Sequence, residues 1–395
     1  MNLLLLSDVY FPRVNGVSTS IRAGIEWLLR EGHAVTLVAP DYGSTSGQAR
    51  FDAEFGPALD VLRLPAQPLF FDPEDRLIET APMRTALARL AIRHWDAVHV
   101  HTPFRAHQLG VRLRRRTGTP VVETYHTYFE QYAAHYLPWL PAPLLRAAAR
   151  AASRHLCNAI DHMVVPTREM DAVLRRYGVR TPTTLLASGI EPGFEGGDGA
   201  AFRARHGIAP DRPVIATISR LAIEKNIGFL LEVAARLVRE RPELLFVVAG
   251  EGPAATALQM QATRLGLRDN VRFFGNFDRV TLRDCYRAAD AFVFASPTET
   301  QGLVLIEAMA LGVPVVSTAV MGTATVLRDA QGALVAPEDV EGFARCVLQV
   351  LGDETLRARL AAAGPADAQR WRSDALMPPL LALYRHLAGG TVASN

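Results

Sequence analysis

Lysine is nearly absent from this chain. Lys225 is the one lysine among 395 residues, and arginine supplies the rest of the 42 basic residues. An ammonium is a compact point charge on a flexible stem, whereas a guanidinium is a planar fork, so the two groups contact a phosphate differently. Lys225 is therefore either present by chance in an arginine-biased composition or present because it binds a phosphate. The residues around it in the sequence distinguish these two interpretations.

Cysteine and long apolar runs are scarce as well. The three cysteines, Cys157, Cys285 and Cys346, are far apart and form no C-x-x-C, which indicates small buried residues in a reducing compartment rather than metal ligands. No apolar run approaches the roughly 18 residues that cross a membrane. The run near the start has four residues and ends at Ser7, which predicts a first buried strand and not a signal peptide.

Excess charge is also missing. The net charge is only +2, which argues against a dedicated nucleic-acid-binding protein. A length of 395 residues suggests two or three domains, and the chain is long enough to form two substantial hydrophobic cores.

What the chain does contain is a regular alternation of short apolar runs and amphipathic stretches. Strands are predicted at 3–6, 34–40, 61–65, 97–101, 121–125, 162–166, 183–187, 214–219, 244–250, 271–275, 291–296, 314–318 and 333–337. Helical periodicity fills the gaps between them. The segment "EPGFEGGDGA" (191–200) has four glycines and one proline and is predicted to be a linker.

This pattern predicts an α/β protein of two doubly wound, Rossmann-like domains facing each other across a cleft. We expect an N-terminal domain at 1–190, a C-terminal domain at 201–370, and a final helix within 371–395 that packs back on the N-terminal domain. Ligands of such sheets bind at the carboxyl ends of the strands.

Two loops of the second half lie at such ends and could hold phosphate. "SRLAIEKNIG" (219–228) places Arg220 and Lys225 between a strand and a helix, where cations and a helix N-terminus converge. The alternative is a solvated turn in which Glu224 pairs with an arginine. "GEGPAA", which begins at Gly250, fits G-x-G-x-x-A, but no acidic residue follows at the distance that NAD binding requires.

A third loop carries two carboxylates. In "SPTETQGLVLIEAMALG" (296–312), Glu299 precedes a helix predicted from Gly302 to Leu311, and Glu307 lies inside it. The amide groups of Gly302, Leu303 and Val304 are free at the first helical turn and form an anion site. Alternatively, Glu299 only caps this helix and Glu307 is an exposed helical carboxylate.

These motifs in combination resemble the retaining GT-B glycosyltransferases of family four, from the E-x7-E pair and the upstream R-x4-K loop to the N-terminal "DVYFPRVNGVSTSI". The resemblance covers nearly the whole chain. It implies that Glu299 contacts the hydroxyls of the donor sugar, that Glu307 binds the ribose, and that Arg220 and Lys225 clamp the diphosphate. It also implies that Gly16 lets the backbone approach that diphosphate, where a missing side chain is needed.

The resemblance also bears on metal use. D-x-D, the usual divalent-metal pattern of other glycosyltransferases, does not occur in the chain. We therefore expect no metal and no cofactor, with basic side chains and helix dipoles neutralising the leaving diphosphate.

The N-terminal half supplies the remaining candidates. His126 in "VVETYHTYFEQY" falls where the family has a histidine beside the anomeric carbon, although a structural histidine at a strand end is the alternative. We expect Asp8, His101, Phe104 and Tyr128 to bind the acceptor. His99 and His101 alternate along one strand and so share a face, and at least one of them is expected to be structural.

The acceptor is predicted from "YLPWLPAPLLRAAARAASRHL" (136–156). Arg146, Arg150 and Arg154 recur every four residues beside Trp139, Leu140, Leu144 and Leu145. This pattern suits a helix on an anionic bilayer surface. A solvated helix face is the alternative. The segments "NGVSTSI" and "TYHTYFEQY" look most like the branch of the family that glycosylates diacylglycerol.

Two departures from the family pattern are present. Ser188 stands where "NG" is usual, and "VMGTATVL" (320–327) stands where a double glycine and a glutamate are common. The second departure bears on the identity of the donor sugar.

The sequence therefore predicts a retaining, metal-independent transferase that moves a hexose from a nucleotide-diphospho-sugar, such as UDP-glucose, to a hydroxyl of a membrane lipid such as diacylglycerol. The expected location is the cytoplasm, peripheral to the inner face of the membrane, without nucleic-acid partners. Alternatives are a family-four enzyme that uses GDP-mannose with polysaccharide or polyol acceptors, a sugar-nucleotide epimerase, and a non-catalytic sugar-nucleotide-binding or scaffold protein.

Overall fold

The computed structural model describes residues 1–43, 47–69, 75–126, 141–190 and 194–390. The chain forms two compact units. The N-terminal unit comprises Met1–Pro192 together with Ser373–Asn395, and the C-terminal unit comprises Gly193–Arg372. None of the described helices has both the length and the apolar character needed to cross a bilayer.

A seven-stranded parallel sheet forms the centre of the N-terminal unit. Its strands lie in the order β3-β2-β1-β6-β7-β8-β9. They are β1 (Asn2–Leu6), β2 (Ala34–Pro40), β3 (Leu59–Leu64), β6 (Ala97–Val100), β7 (Val121–Thr124), β8 (His162–Val165) and β9 (Thr183–Leu185). A short antiparallel hairpin, β4 (Ala66–Pro68) with β5 (Arg76–Ile78), was not predicted, because its strands are too short for a periodic signal.

Helices join these strands. The described helices of this unit are Gly16–Arg30, Gln48–Asp52, Thr80–Ala91, Arg105–Thr117, Ala142–Cys157, Arg168–Tyr177 and Ser373–Gly390, with a 3-10 turn at Gly56–Ala58. The first helix begins with a capping box, in which the side chain of Asn15 accepts from the amides of Val17 and Ser18 and the Ser18 hydroxyl lies within hydrogen-bonding distance of the Asn15 amide. This cap fixes where the loop after β1 ends.

The C-terminal unit contains a six-stranded parallel sheet in the order β12-β11-β10-β13-β14-β15. Its strands are β10 (Val214–Ile218), β11 (Leu245–Ala249), β12 (Val271–Phe274), β13 (Ala291–Phe294), β14 (Val315–Ser317) and β15 (Ala333–Val335). Its helices are Gly199–Arg205, Ile227–Val238, Ala255–Arg264, Arg279–Arg287, Leu303–Ala310, Gly322–Leu327, Val340–Gly352 and Glu354–Gln369, with a 3-10 turn at Ile223–Lys225.

The strand order of this sheet locates a binding crevice. It is the doubly wound order 3-2-1-4-5-6, in which the direction of winding reverses between the first and fourth strands, here β10 and β13. The loops that follow these two strands diverge to opposite faces and leave a crevice at the carboxyl edge. The N-terminal sheet reverses in the same way between β1 and β6.

The thirteen strands of the two parallel sheets fall within two residues of their predicted positions. They were predictable because both faces of a parallel sheet are covered, so each central strand is a nearly continuous apolar run. β1, β6, β10 and β13 show this directly, since nearly all of their residues are buried.

Most of the segment predicted as a linker belongs to the C-terminal unit, which begins at Gly193. A Cβ on Gly197 would lie 2.8 Å from the carbonyl oxygen of Arg283, and one on Gly199 would lie 2.2 Å from that of Arg287. These two glycines allow the segment to pack closely against the helix Arg279–Arg287. Gly197 and Gly199 thus serve close packing, whereas a Cβ on Gly196 would meet no atom within 4 Å, and the linker stays a prediction.

The helix Ser373–Gly390 is part of the N-terminal core. Leu380, Leu381 and Tyr384 are buried in the same apolar cluster as Leu3, Leu5 and Ile21. The chain thus returns from the C-terminal unit to complete the first core.

We predict that Leu381→Ala destabilises the N-terminal unit by about 2–4 kcal/mol, since it removes buried methyl groups and leaves a cavity. Hydrogen exchange followed by mass spectrometry should show faster exchange in peptides that cover β1 and β6. The matched control is Arg385→Ala, which changes an exposed residue of the same helix and should stay within about 0.5 kcal/mol. Equal protection in Leu381→Ala and Arg385→Ala would show that the helix is dispensable to this core.

Candidate active site

Two hydrogen bonds tie together the loops that follow β10 and β13. The hydroxyl of Ser296 donates to the carbonyl of Glu224 at 2.9 Å, and the side-chain amide of Asn226 donates to the carbonyl of Ala295 at 3.2 Å. Asn226 has a left-handed backbone with φ of 54°, which asparagine tolerates better than most residues. The crevice at the switch point therefore has fixed walls.

Lys225 and Glu299 meet in this crevice. The Lys225 ammonium donates a short hydrogen bond to Oε1 of Glu299, and their side chains are only 17% and 15% exposed. The sequence had suggested separate ligands for these two groups, at the phosphate end and at the sugar end of a donor. The structure places them in direct contact.

Arg220 lies in the same loop. Its Nη1 is 3.6 Å from Oε1 of the buried Glu224, which is the pairing that the alternative interpretation of a charged turn predicted. Both cations of the loop are thus held by carboxylates, one from the loop itself and one from the loop after β13. An anion that bound here would contact the guanidinium of Arg220 and the ammonium of Lys225, both restricted in mobility by their carboxylate partners.

Gly250 and Gly252 are glycines because the backbone of the neighbouring loop passes close to them. A Cβ on Gly250 would lie 2.0 Å from the carbonyl oxygen of Ser219, and one on Gly252 would lie 2.4 Å from that of Leu221. The amide of Leu221 donates to the carbonyl of Glu251 at 2.8 Å. The G-x-G pattern therefore supports the loop that carries Arg220 and Lys225, and direct contact of Gly250 with a nucleotide stays a prediction.

Glu307 has a partner that sequence reasoning did not find. The hydroxyl of Tyr286, on the helix Arg279–Arg287, donates to Oε2 of Glu307 at 2.7 Å. Burial raises the pKa of the Glu307 carboxyl, and the hydrogen bond from Tyr286 opposes that shift. Nothing near Tyr286 in the sequence marks this role, because the two residues meet only through the packing of two helices.

The helix that carries Glu307 begins after Gly302, which has φ of 90°. The structure shows no side-chain hydrogen bond capping this helix, and anion binding by the amides of Gly302, Leu303 and Val304 stays a prediction. The amide of Gly322 donates to the carbonyl of Glu299 at 2.8 Å. The loop after β14 thereby positions the Glu299 loop.

Met321, in that loop after β14, has φ of 53° and ψ of −125°. A residue other than glycine rarely adopts this conformation, and it costs of order 1–3 kcal/mol. This is the segment "VMGTATVL", where the family pattern commonly has two glycines. The strained residue thus lies within the segment that departs from the family pattern.

Asp8 occupies the switch point of the N-terminal sheet. Its carboxylate accepts from the hydroxyl of Thr102 at 2.8 Å and from the backbone amides of Arg105 and Ala106 at 3.1 and 3.0 Å. Burial raises the pKa of this carboxyl to about 6 against these hydrogen bonds. Asp8 thus caps the helix that follows β6 and joins two loops, and it is buried. Its predicted contact with an acceptor gains no support from these bonds.

The loops that follow β1 and β6 expose apolar side chains. Val14, after β1, is 44% exposed, and Phe104, after β6, is 48% exposed. Gly16 is exposed as the first residue of its helix, so its amide can be approached. Tyr128, Trp139 and Leu140 lie outside the described residues.

Three histidines lie together at the ends of β6 and β7. Nδ1 of His101 is 3.2 Å from Nε2 of His126, and the rings of His99 and His101 have centroids 4.1 Å apart. Burial lowers the pKa of His126 to about 4 and that of His99 to about 3, and it holds the pKa of His101 well below its usual value. All three imidazoles are therefore neutral at pH 7.

The helix Ala142–Cys157 exposes the side that sequence analysis singled out. Leu145, Ser153 and Cys157 are buried. Arg146, Arg150, Arg154 and Leu144 are exposed. The three exposed arginines, which recur every four residues, form the basic side of this helix.

We predict that Met321→Gly stabilises the C-terminal unit by about 0.5–2 kcal/mol, because relief of the strain outweighs the added freedom of glycine in the unfolded chain. The matched control is Asn226→Gly, the other non-glycine residue with positive φ among the described residues. It should destabilise, since it removes the hydrogen bond to Ala295 from a position that asparagine tolerates. Urea titration measures both changes, and a loss of stability in Met321→Gly would contradict the strain.

The family comparisons match both units. A model described as Glycosyltransferase Family 4 matches residues 14–194, and one described as Glycosyl transferases group 1 matches residues 198–367. Together they cover every strand of the two parallel sheets except β1.

Curated relatives and solved structures agree with this assignment. The chain is similar to sucrose-phosphate synthase from Thermosynechococcus elongatus, with a TM-score of 0.81 at 21% identity over 99% of this chain and 100% of that one. It is also similar to HepE of Anabaena in complex with UDP and glucose, with a TM-score of 0.76 at 17% identity over the full length of both chains.

Among proteins of known sequence, it is 31% identical to a D-inositol 3-phosphate glycosyltransferase of Xylanimonas cellulosilytica, over 83% of this chain and 82% of the relative. It is also 31% identical to the alpha-monoglucosyldiacylglycerol synthase of Streptococcus pneumoniae, over 80% of this chain and 71% of the relative. The chain belongs to glycosyltransferase family 4 and is a glycosyltransferase of the GT-B fold class.

Proposed function

We propose that this protein is a retaining, metal-independent glycosyltransferase that moves a hexose from a UDP-sugar to a hydroxyl of a membrane lipid. The observation that carries the proposal is the contact between Lys225 and Glu299 beside Arg220, at the switch point of the C-terminal sheet. A cation for phosphate and a carboxylate for sugar hydroxyls stand next to each other there, as a sugar diphosphate requires.

The phosphate end of the donor is assigned to Arg220 and Lys225. Before the donor binds, each cation is held by a carboxylate. The diphosphate would take over these charges, so that Glu299 is free to accept hydrogen bonds from the sugar. As the bond between sugar and phosphate breaks, negative charge grows on the phosphate oxygen, and donors already aimed at it stabilise the transition state most. These two cations would serve in place of a metal.

The nucleoside end is assigned to Glu307. The hydroxyl of Tyr286 fixes Oε2 of this carboxylate, and Oε1 would accept hydrogen bonds from the ribose hydroxyls. A carboxylate that is ionised when it accepts these bonds gives stronger ones than a neutral group. The donor complexes of HepE contain UDP, which supports UDP as the nucleotide.

The sugar end is assigned to Glu299 and His126. Because His126 is neutral at pH 7, it can form a hydrogen bond to the sugar without placing a positive charge beside the oxocarbenium character that develops there. In the same-face substitution, the bond from the anomeric carbon to the phosphate oxygen breaks and the bond to the acceptor oxygen forms. The acceptor's proton passes to the departing phosphate oxygen.

The lipid acceptor is supported by three observations. Relatives named as alpha-monoglucosyldiacylglycerol synthases come from Streptococcus pneumoniae and Acholeplasma laidlawii. Val14 and Phe104 expose apolar surface at the acceptor loops, and the helix Ala142–Cys157 exposes a basic side. We propose that this basic side contacts anionic lipid on the inner face of the cytoplasmic membrane.

A second acceptor class is also supported. The relatives named as D-inositol 3-phosphate glycosyltransferases reach similar identity, so a phosphorylated polyol is the competing acceptor.

We predict that Lys225→Ala lowers turnover by roughly 100-fold or more, as expected when a donor aimed at developing charge is removed. Release of UDP from UDP-glucose, in excess chelator and with a lipid extract as acceptor, measures this. Lys225→Arg should restore only part of the rate, because the planar fork cannot take the place of a point charge.

The control is Asn226→Gly, which disturbs the same loop but keeps Lys225. Turnover of Lys225→Ala near that of the parent would remove the basis of the proposal. Loss of the parent's activity on chelation, with recovery on addition of Mg²⁺ or Mn²⁺, would overturn metal independence.

We further predict that replacing Arg146, Arg150 and Arg154 together by alanine weakens membrane binding by about 3 kcal/mol before screening by salt, at about 1 kcal/mol for each arginine. Flotation with vesicles of about one-third anionic lipid, at low and physiological salt, measures this. Donor hydrolysis without acceptor should not change.

The matched control replaces Arg239, Arg345 and Arg359, three exposed arginines of the C-terminal unit, and so removes the same charge elsewhere. If both triple variants float like the parent, or if the parent does not float, the polyol acceptor is favoured.

A further inference from the structure

A continuous chain of polar side chains runs through the N-terminal unit from its last helix to His126. The hydroxyl of Tyr384 lies 2.5 Å from Nδ1 of His99, and Nε2 of His99 lies 2.7 Å from the hydroxyl of Thr124. The ring of His99 lies against that of His101, whose Nδ1 is 3.2 Å from Nε2 of His126.

The surroundings of this chain are mostly apolar, with a few serines among them. Tyr384, His99 and His101 are buried and line a cavity of about 50 Å³ with Leu5, Val164 and Leu380 among its other walls. Where water is scarce, a hydrogen bond is stronger and an unpaired polar atom is more costly. The partners within the chain therefore determine how each ring is oriented.

The cost of an unpaired polar atom determines which group donates in the two hydrogen bonds of His99. Burial raises the pKa of Tyr384 far above its usual value, so its hydroxyl keeps its proton. His99 Nδ1 is the partner that the structure gives this hydroxyl. If Tyr384 accepted from Nδ1, its own proton would have no acceptor, so the favourable arrangement has Tyr384 donate to Nδ1 and His99 donate from Nε2 to Thr124. One neutral tautomer of His99 results.

The fixed ring of His99 then restrains His101 and His126. The ring of His101 packs against the ring of His99, so a fixed His99 limits how His101 can turn. His101 is in turn hydrogen-bonded to His126. Thr124, the other partner of His99, is two residues before His126 in the chain. Two routes thus lead from His99 to His126, one through rings and one through backbone.

We propose that Tyr384 is a positioning residue, which sets the tautomer of His99 and, through His99 and His101, the orientation of His126. The catalytic consequence rests on the role proposed above for His126, whereas the coupling itself does not. In this way the last helix of the chain acts on the reaction without contact with either substrate.

The test is Tyr384→Phe, which removes the hydroxyl and keeps the ring. The tautomers are measured by ¹⁵N NMR of the histidine side chains in the free protein, with signals assigned from single replacements of His99, His101 and His126 by glutamine. We expect one tautomer of His99 and of His126 in the parent and mixed populations of both in the variant. Thr124→Val, which removes the other partner of His99, should disturb the same signals.

Activity gives the second measurement. Turnover in Tyr384→Phe should fall about two- to ten-fold, the range expected for one lost hydrogen bond, while the KM for the donor changes less than about two-fold. Leu381→Val, a conservative change in the same core, controls for loosening of the helix and should leave the histidine signals as they are.

The outcomes separate the two ideas. Unchanged His126 signals in both Tyr384→Phe and Thr124→Val would overturn the coupling, even if His126→Ala is inactive. Coupled signals in a protein whose His126→Ala variant keeps full turnover would support the chain and refute the catalytic role of His126. Signals disturbed equally by Leu381→Val would reduce Tyr384 to a packing residue and overturn its positioning role.

Discussion

The ion pair between Lys225 and Glu299 is the interaction on which the candidate site depends. Both side chains are largely out of water, and removing one partner of such a pair leaves a charge that is costly to keep buried, by about 3–5 kcal/mol in deeply buried cases and less here because some exposure remains. A chain that needed only stability would do as well with apolar side chains at these positions. In the proposed function, the pair is two ligands that neutralise each other until a substrate replaces the contact.

Holding two charges in this geometry requires the loops around them to be fixed. The contacts of Ser296 and Asn226 join the two loops, Gly250 lets the neighbouring loop approach, and Gly322 binds the carbonyl of Glu299. Each contact comes from a different strand end. These strand ends lie at one edge because the strands are parallel, and the reversal of the strand order between β10 and β13 opens the crevice there.

The strands and the site loops could be predicted because each depends on local pattern. Continuous apolar runs mark buried parallel strands, and Arg220, Lys225, Glu299 and Glu307 stand in loops or helices directly after such runs. The partners could not be predicted. Tyr286 and Tyr384 contact their acidic or imidazole partners only through helix packing, and Asp8 acts as a cap for a helix about 100 residues away. Single-sequence patterns contain no information on such long-range pairs.

The two units differ in the charge of the groups that they bury. In the C-terminal unit, the ammonium of Lys225 lies against the carboxylate of Glu299. In the N-terminal unit, burial holds the three histidines neutral. Transfer of a sugar from a diphosphate creates negative charge on the phosphate and positive character on the sugar. Cations suit the first and a neutral imidazole suits the second, because a cation beside the sugar would oppose the charge that forms there. The difference between the two environments thus matches the separation of charge that the reaction itself requires.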